Sequence, residues 1–318
     1  MTPIERARGC LLGLAVADAV GTTLEFRPPG TFVPIDDMTG GGPFDLQAGQ
    51  WTDDTSMALC LAASLVEKGF DADDQMQRYL RWYKEGYMSS TGRCFDIGNT
   101  VRQALHEYQQ TGNPLAGSTH PHSAGNGSIM RLAPLPLTYH RDPATAIARA
   151  AESSRTTHGA AAALDACRYL AALIVGALHG ENKTALLAPL YAPIAGYWQQ
   201  QPLMPDIAAI AAGSFKEKQP PDIKGSGYVV QSLEAALWAF YHSDNFRDGC
   251  LLAANLGDDA DTTAAVFGQL AGAYYGESGI PIHWRAKVTM YDEIIYLAEQ
   301  LYEGQPESYD RQNPNHRR

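Results

Sequence analysis

Two short acidic clusters, about 200 residues apart, limit how this chain can fold more than any other feature. The first is Trp51-Thr52-Asp53-Asp54-Thr55-Ser56, and the second is Gly257-Asp258-Asp259-Ala260-Asp261-Thr262-Thr263. Each heads a run that reads as helix, Met57 to Lys68 after the first and Ala264 to Tyr275 after the second. The macrodipole favours an aspartate near a helix N-terminus, and a threonine suits the cap. One cap needs one carboxylate, however, and close like charges repel and raise each other's pKa. Either cluster alone reads equally well as an ordinary helix start with solvated acids. The pair, each with adjacent threonine, predicts two helix starts that face each other and share bound cations. Neither cluster contains His or Cys, and an all-oxygen donor set selects Mg²⁺, Mn²⁺ or Ca²⁺ over zinc. The carboxylates of Asp53, Asp54, Asp259 and Asp261 exceed what one Mg²⁺ takes from protein, which predicts two metal ions.

The rest of the chain reads as helix after helix, at about 3–20, 55–68, 72–85, 97–110, 129–134, 143–152, 158–179, 183–198, 229–242, 245–255, 262–275 and 283–303. Residues 21–50 form a long connection rich in glycine and proline, and loops of that length inside a compact domain are usually functional. A second loop spans 111–128, and 199–226 reads as an exposed connection. Few segments alternate as strands do, no β-α alternation is visible, and no repeat has a fixed spacing. Charged residues are 19% of the chain, below the usual ~25%, while alanine and glycine are plentiful, which suits closely packed helices. The expected fold is all-α: a single compact orthogonal helical domain over 1–305, with long loops around a binuclear metal site and a polar, disordered tail at 306–318.

The formal net charge of -11 argues against general nucleic-acid binding, and part of it reads as a metal site counted without its metal. The cysteines, Cys10, Cys60, Cys94, Cys167 and Cys250, form no CxxC, and their odd number suits reduced thiols in a cytoplasmic protein. The apolar run after Arg6 and Arg8 is interrupted by Asp18 and reads as an amphipathic first helix rather than a signal peptide. No run approaches the ~20 apolar residues of a membrane span; Leu170 to Leu178 reads as a buried helix, and no membrane partner is expected.

WTDDTSMALCLA and GDDADTTAAVFGQLAGAYYG resemble the paired signatures of the ADP-ribosylglycohydrolase family, whose members include dinitrogenase reductase-activating glycohydrolase. The resemblance runs from about residue 6 to 303 and takes in GLAVADAVGTTLEF, GNGSIMRLAPL at 125–135, and Thr157-His158. It implies an orthogonal all-α fold with two Mg²⁺ or Mn²⁺ ions held by Thr52, Asp53, Asp54, Asp259, Asp261 and Thr262. Asp258 is left out of that shell. The implied reaction cleaves the bond from ribose C1″ to a protein side chain or other acceptor through an oxocarbenium-like transition state. Two such ions hold ribose hydroxyls and acidify water, and a carboxylate accepts its proton. The resemblance gives Glu25, Asp54 and Asp259 the catalytic roles, with Glu25 in a catalytic or gating place in its loop; by its own sequence surroundings Glu25 reads rather as a surface glutamate.

The resemblance further assigns Gly125, Asn126, Gly127 and Ser128 to the diphosphate of ADP-ribose, since glycines let backbone N–H groups approach a phosphate. A plain turn is the rival reading. His158 is assigned to the phosphate or adenine region, with a structural histidine as the rival reading. Asp96 and Tyr228 stand where the arginine-specific branch has an acid and an aromatic ring, able to pair with and stack on guanidinium. A helix cap for Asp96 and a core position for Tyr228 are the rivals. Asp18 reads as a helix-end stabiliser, and His120 and His122 as loop surface. GxSxG, P-loop and HExxH motifs are absent. The expected activity is metal-dependent hydrolysis of ADP-ribosyl-arginine on a modified protein, releasing ADP-ribose and reversing either a regulatory mark or the action of an ADP-ribosyltransferase toxin. The alternatives are a serine-linked or small ADP-ribosylated substrate, or a non-catalytic protein like the jellyfish lens crystallins similar to this family.

Overall fold

The computed structural model describes residues 1–304, so the expected tail at 306–318 lies outside it. Among the described residues there are fifteen α-helices and no strand, only three isolated bridges. Helix α1 (Pro3–Gly21) opens with a capping box, Thr2 accepting from the Glu5 N–H and Glu5 reaching back to Thr2. It is not amphipathic as expected. Every residue from Gly9 to Gly21 is buried, because α1 runs through the middle of the molecule and is packed on all sides. After the long loop come α2 (Asp53–Lys68), α3 (Ala72–Glu85) and α4 (Asn99–Thr111). The helix expected over 129–134 is instead a series of turns, and α5 (Pro134–Tyr139) starts where that one was to end. Proline lacks an N–H and fits the first turn of a helix, so Pro134 sets the start.

Helices α6 (Pro143–Ser154) and α7 (Ala161–Leu178) follow. The single helix expected over 183–198 is two short ones, α8 (Lys183–Leu186) and α9 (Tyr197–Gln200), because Pro189, Pro193 and Gly196 interrupt it. Nor is 199–226 simply exposed. It carries α10 (Pro205–Ala211), and Ile207, Ile210, Phe215 and Ile223 are buried in the core. Then come α11 (Val229–Tyr241), α12 (Phe246–Ala254) and α13 (Ala260–Gly279), the last broken at Gly276 where φ is 72°. The final expected helix is also divided, into α14 (Ile282–Arg285) and α15 (Tyr291–Glu303), with Met290 between them at φ 57°. Segments Pro3–Leu24 and Ala161–Leu178 are each long and apolar enough to cross a membrane, contrary to the sequence reading; 89% and 78% of them are buried inside the protein, which accounts for their composition. The five cysteines are free thiols, all buried except the half-buried Cys94.

The antiparallel pair α1 and α13 forms the central axis. A Cβ added to Gly272 would lie 1.9 Å from the Gly9 carbonyl oxygen, and one added to Gly268 would lie 2.2 Å from that of Gly13. At the far end, a Cβ on Gly21 would lie 2.5 Å from the Ala260 carbonyl oxygen. The backbones therefore touch along their length, and this contact carries the acidic start of α13 to the end of α1. Gly272→Ala is expected to destabilise the protein by about 3 kcal/mol or more, since backbone rather than a flexible side chain would have to move. A lowered urea midpoint measures this; an unchanged one would show that the two helices can separate without penalty.

Candidate metal centre and ligand cleft

The two acidic clusters meet. Thr52 and Asp261, 209 positions apart, are joined by a 3.2 Å hydrogen bond from the Thr52 hydroxyl to Asp261 Oδ2. The Thr262 hydroxyl lies 3.3 Å from Asp54 Oδ2, and that of Thr52 lies 3.2 Å from the same oxygen. Carboxylate oxygens of Asp18, Asp54 and Asp261 lie within 4.8 Å of one another, as do those of Glu25, Asp96 and Asp261. Asp261 thus belongs to two adjacent acid triplets. Asp53 is buried beside them, and Asp259 accepts a 2.7 Å bond from the Asn126 side-chain amide. Asp258 stays outside, exposed, with φ 58°.

Asp18 does more than finish its own helix. Its carboxylate accepts from the N–H groups of Thr52 and Thr55 at 3.0 and 3.1 Å, and from their hydroxyls at 2.9 and 2.6 Å. It therefore caps α2 from across the core. Thr52, placed to cap α2 itself, makes no side-chain cap bond, which leaves its hydroxyl among the acids.

Burial dominates the electrostatics. It pushes Glu25 up to about 10, with Asp96 adding repulsion, and Asp96 up to about 7. Asp18 is raised by burial only to about 6, because the Thr55 and Thr52 donors favour its charged form. Burial and neighbouring acids hold Asp53, Asp54 and Asp261 well above the usual carboxylate range, and burial raises Asp259. So many acids cannot all ionise without compensating positive charge. Glu25 Oε2, Asp54 Oδ1 and Asp261 Oδ1 are buried and accept no hydrogen bond. Buried, unpartnered carboxylate oxygens with threonine hydroxyls between them fit hard divalent cations.

A cleft of about 390 Å³ opens above these acids. Glu25, Asp53, Asp96, Asp259, Asp261 and Thr262 line it together with Gly125, Asn126, Gly127 and His158, and the Asn126–Asp259 bond joins the acids to the glycine loop. Thr52 and Asp54 lie below, buried. The glycine loop is tied to the start of α11 by Asn126 N–H to the Gly227 carbonyl at 3.1 Å and Val229 N–H to the Ala124 carbonyl at 3.0 Å. Backbone N–H groups of Gly127 and Ser128 donate to no acceptor among the described residues. A Cβ on Gly127 would stand 2.7 Å from His158 Cε1, so only glycine lets this ring lie against the loop. The Ser128 hydroxyl points away, bonded to Ser154 at 2.8 Å. Tyr228 pairs with Gly125 through its backbone; the residue is 41% exposed rather than in the core, and it does not itself line the cleft. His120 and His122 are exposed on their loop.

Sequence reasoning missed three features. Asp18 was read only as a helix-end residue, although an acid in the apolar run GLAVADAVG signals a distant partner. Arg131, buried behind the glycine loop, was signalled the same way by a lone charge between Ile129 and Leu135. Phe26, which lines the cleft, begins a chain of rings with Phe44 and Phe95, centroids 6.3 and 5.1 Å apart, and no local pattern pointed to it. Phe26 and Asp96 both have left-handed backbones, at φ 58° and 61°, a conformation uncommon outside glycine that often marks functional sites.

An all-α molecule that brings two acid-and-threonine helix starts together beneath a glycine-walled cleft is of the kind the resemblance implies, and the chain belongs to the ADP-ribosylglycohydrolase family, whose model matches residues 1–311. It is 44% identical over 305 residues to the ADP-ribosylarginine hydrolase Tri1 of Serratia proteamaculans (strain 568), covering 96% of this chain and 81% of that one. It is 47% identical to the protein of the same name from Pseudomonas putida (strain GB-1), covering 96% and 80%. The ADP-ribosyl-[dinitrogen reductase] glycohydrolase of Rhodospirillum rubrum is 32% identical, over 90% of this chain and 91% of that one. A solved structure described as an ADP-ribosylglycohydrolase-related protein complex superposes with a TM-score of 0.83 at 46% identity, covering 95% of this chain and 98% of that chain.

Proposed function

We propose that the protein is a metal-dependent hydrolase that cleaves the N-glycosidic bond of ADP-ribosyl-arginine on a modified protein and releases ADP-ribose. The observation that carries this reading is the buried meeting of the two acidic clusters, with Asp96 beside them in the cleft. Thr52, Asp53, Asp54, Asp259, Asp261 and Thr262 would hold two Mg²⁺ or Mn²⁺ ions. When bound, those ions supply positive charge for ribose oxygens and acidify water. The residues around them do the rest. The free N–H groups of the glycine loop bind the diphosphate. Asp96 orients the cationic guanidinium as a paired carboxylate. The C1″–N bond breaks with its electron pair going to the guanidine, which takes up a proton. A water oxygen joins C1″, and we assign its proton to the unpartnered Oε2 of Glu25, which would accept it once bound cations offset the neighbouring acids and leave Glu25 ionised, with Asp54 and Asp259 as those neighbours. Removing arginine-linked ADP-ribose would also counter an ADP-ribosyltransferase toxin that installs it.

Asp96 gives the reading its linkage specificity and its test. With Mn²⁺ present, Asp96→Asn is expected to lower kcat/KM for ADP-ribosyl-arginine by about 10- to 100-fold, the loss of one charge-assisted contact. Activity on an ADP-ribosyl-serine peptide, which offers no cation, should stay low and change little. Equal losses on both substrates would remove Asp96 from guanidinium recognition, and a wild type that turns over only the serine linkage would overturn the proposed activity.

A further inference from the structure

Behind the glycine loop sits a cation that the proposed chemistry has not used. Arg131 is 1% exposed, and none of its hydrogen-bond partners is a carboxylate. Its guanidinium donates to the Gly127 carbonyl at 2.7 Å and to the Thr156 and Thr157 hydroxyls at 3.2 and 2.7 Å. It also stacks 4.6 Å from the centroid of the Tyr79 ring. These contacts hold it in one orientation. A buried arginine is normally paired with an acid, because an uncompensated buried charge is strongly unfavourable. Here its partners are a thioether, a carbonyl and two hydroxyls.

The bond from Arg131 to Thr157 continues to His158, whose Nδ1 lies 2.9 Å from the Thr157 hydroxyl oxygen. The direction of the proton follows from donor counting. Guanidinium can only donate, so the Thr157 oxygen accepts from Arg131. The Thr157 hydroxyl then has one proton to give. Thr157 is fully buried, and among the described residues the side-chain acceptor beside it is His158 Nδ1. If Nδ1 carried a proton instead, two donors would point at Thr157 and its own proton would be buried without a partner. A doubly protonated ring would add a second cation beside Arg131. Burial and Arg131 both disfavour it, holding His158 well below the ordinary histidine range, at about 3. The proton of the neutral ring is therefore on Nε2, the nitrogen nearest Gly125 and Gly127 at the cleft wall.

We infer that Arg131, which does not reach the cleft, is a positioning residue: through Thr157 it locks His158 as the Nε2–H tautomer, so that the glycine wall presents a fixed neutral donor to a diphosphate oxygen. The diphosphate part rests on the proposed function, and the tautomer lock does not. The lock makes the wall one-sided in its hydrogen bonding. The Gly127 N–H and the imidazole N–H offer donors there, while the buried cation behind them favours an anion.

The test uses the full-length protein with ¹⁵N-labelled histidine. Two-bond ¹H–¹⁵N spectra without ligand report which nitrogen of His158 carries the proton, the signal being assigned by its loss in His158→Asn. Calorimetric titration with ADP-ribose reads the second part, comparing wild type with Thr157→Val and Thr157→Ser. The expected result is an Nε2–H tautomer in the wild type, about tenfold weaker ADP-ribose binding in Thr157→Val, and recovery in Thr157→Ser, which restores the hydroxyl. A proton on Nδ1 in the wild type overturns the lock. Thr157→Val binding ADP-ribose as tightly as wild type overturns its part in binding. Because the tautomer is read without substrate, the lock is decided even if ADP-ribosyl-arginine is not turned over.

Discussion

Asp54→Asn should reduce turnover of ADP-ribosyl-arginine by about three orders of magnitude, the equivalent of several kcal/mol of transition-state stabilisation lost with a metal ligand. The same substitution should raise the melting temperature of the protein in EDTA. Both effects have one cause. Asp54 is 1% exposed, its Oδ2 is bonded to the Thr52 and Thr262 hydroxyls, and its Oδ1 has no partner. Burial, then the charges of Asp18 and Asp259, oppose its ionisation when no cation is present. Asparagine keeps the shape and removes one of the mutually repelling charges, so the metal-free fold gains. It also removes a ligand, so the stabilisation by Mg²⁺ or Mn²⁺ seen in wild type should largely disappear. Melting curves with and without metal, taken beside rate measurements, check both effects. A variant that keeps wild-type turnover and the wild-type metal-induced shift would remove the acid cluster from the reaction.

Without metal, the stability of the wild type should fall as pH rises from about 4 to about 10. The carboxyl groups have ordinary pKa values near 4 when the chain is unfolded. In the fold Asp18 is raised to about 6, Asp96 to about 7 and Glu25 to about 10. The folded state therefore binds more protons than the unfolded state in this window, and stability declines with pH. It is highest below the unfolded value and is lost in steps as the pH passes each folded value, with most of the change from Asp18 and Asp96 complete by about pH 7. The expected reading is a melting temperature that falls steadily across this window. Divalent metal should reverse the slope, because the ions bind the deprotonated acids and release protons. Melting temperatures across this range in EDTA and in Mn²⁺, with proton release at pH 7 measured by calorimetry in buffers of different ionisation enthalpy, test the sign directly. A flat profile in EDTA would mean that the acids are far better solvated than their burial shows.

Local rules carried much of the fold. Prolines and glycines punctuate the helices, and misread boundaries arose where they were underweighted, at Pro134 and at Pro189 and Pro193; the break at Met290 has another origin, a left-handed backbone that follows no composition rule. The amphipathic reading of α1 failed for a different reason. A helix buried on all sides has no polar face to show, and which neighbours surround it is not written in its own residues.

The metal-ligand candidates were visible because paired acids in the first turn of a helix are an anomaly of local charge, and anomalies of that kind need no partner to be seen. What the sequence determined by itself was therefore this chain's all-helical class, its two over-charged helix starts and its glycine loop, each a property of neighbouring residues. Only tertiary structure decided that Asp18 caps α2 rather than serving α1 alone, that Glu25 and Asp96 join Asp261, and that Arg131 reaches His158 through Thr157. These are contacts between distant segments, set when α1 and α13 close backbone to backbone over their glycines. Sequence spacing cannot encode such contacts, because they depend on how whole helices pack rather than on what any one helix prefers.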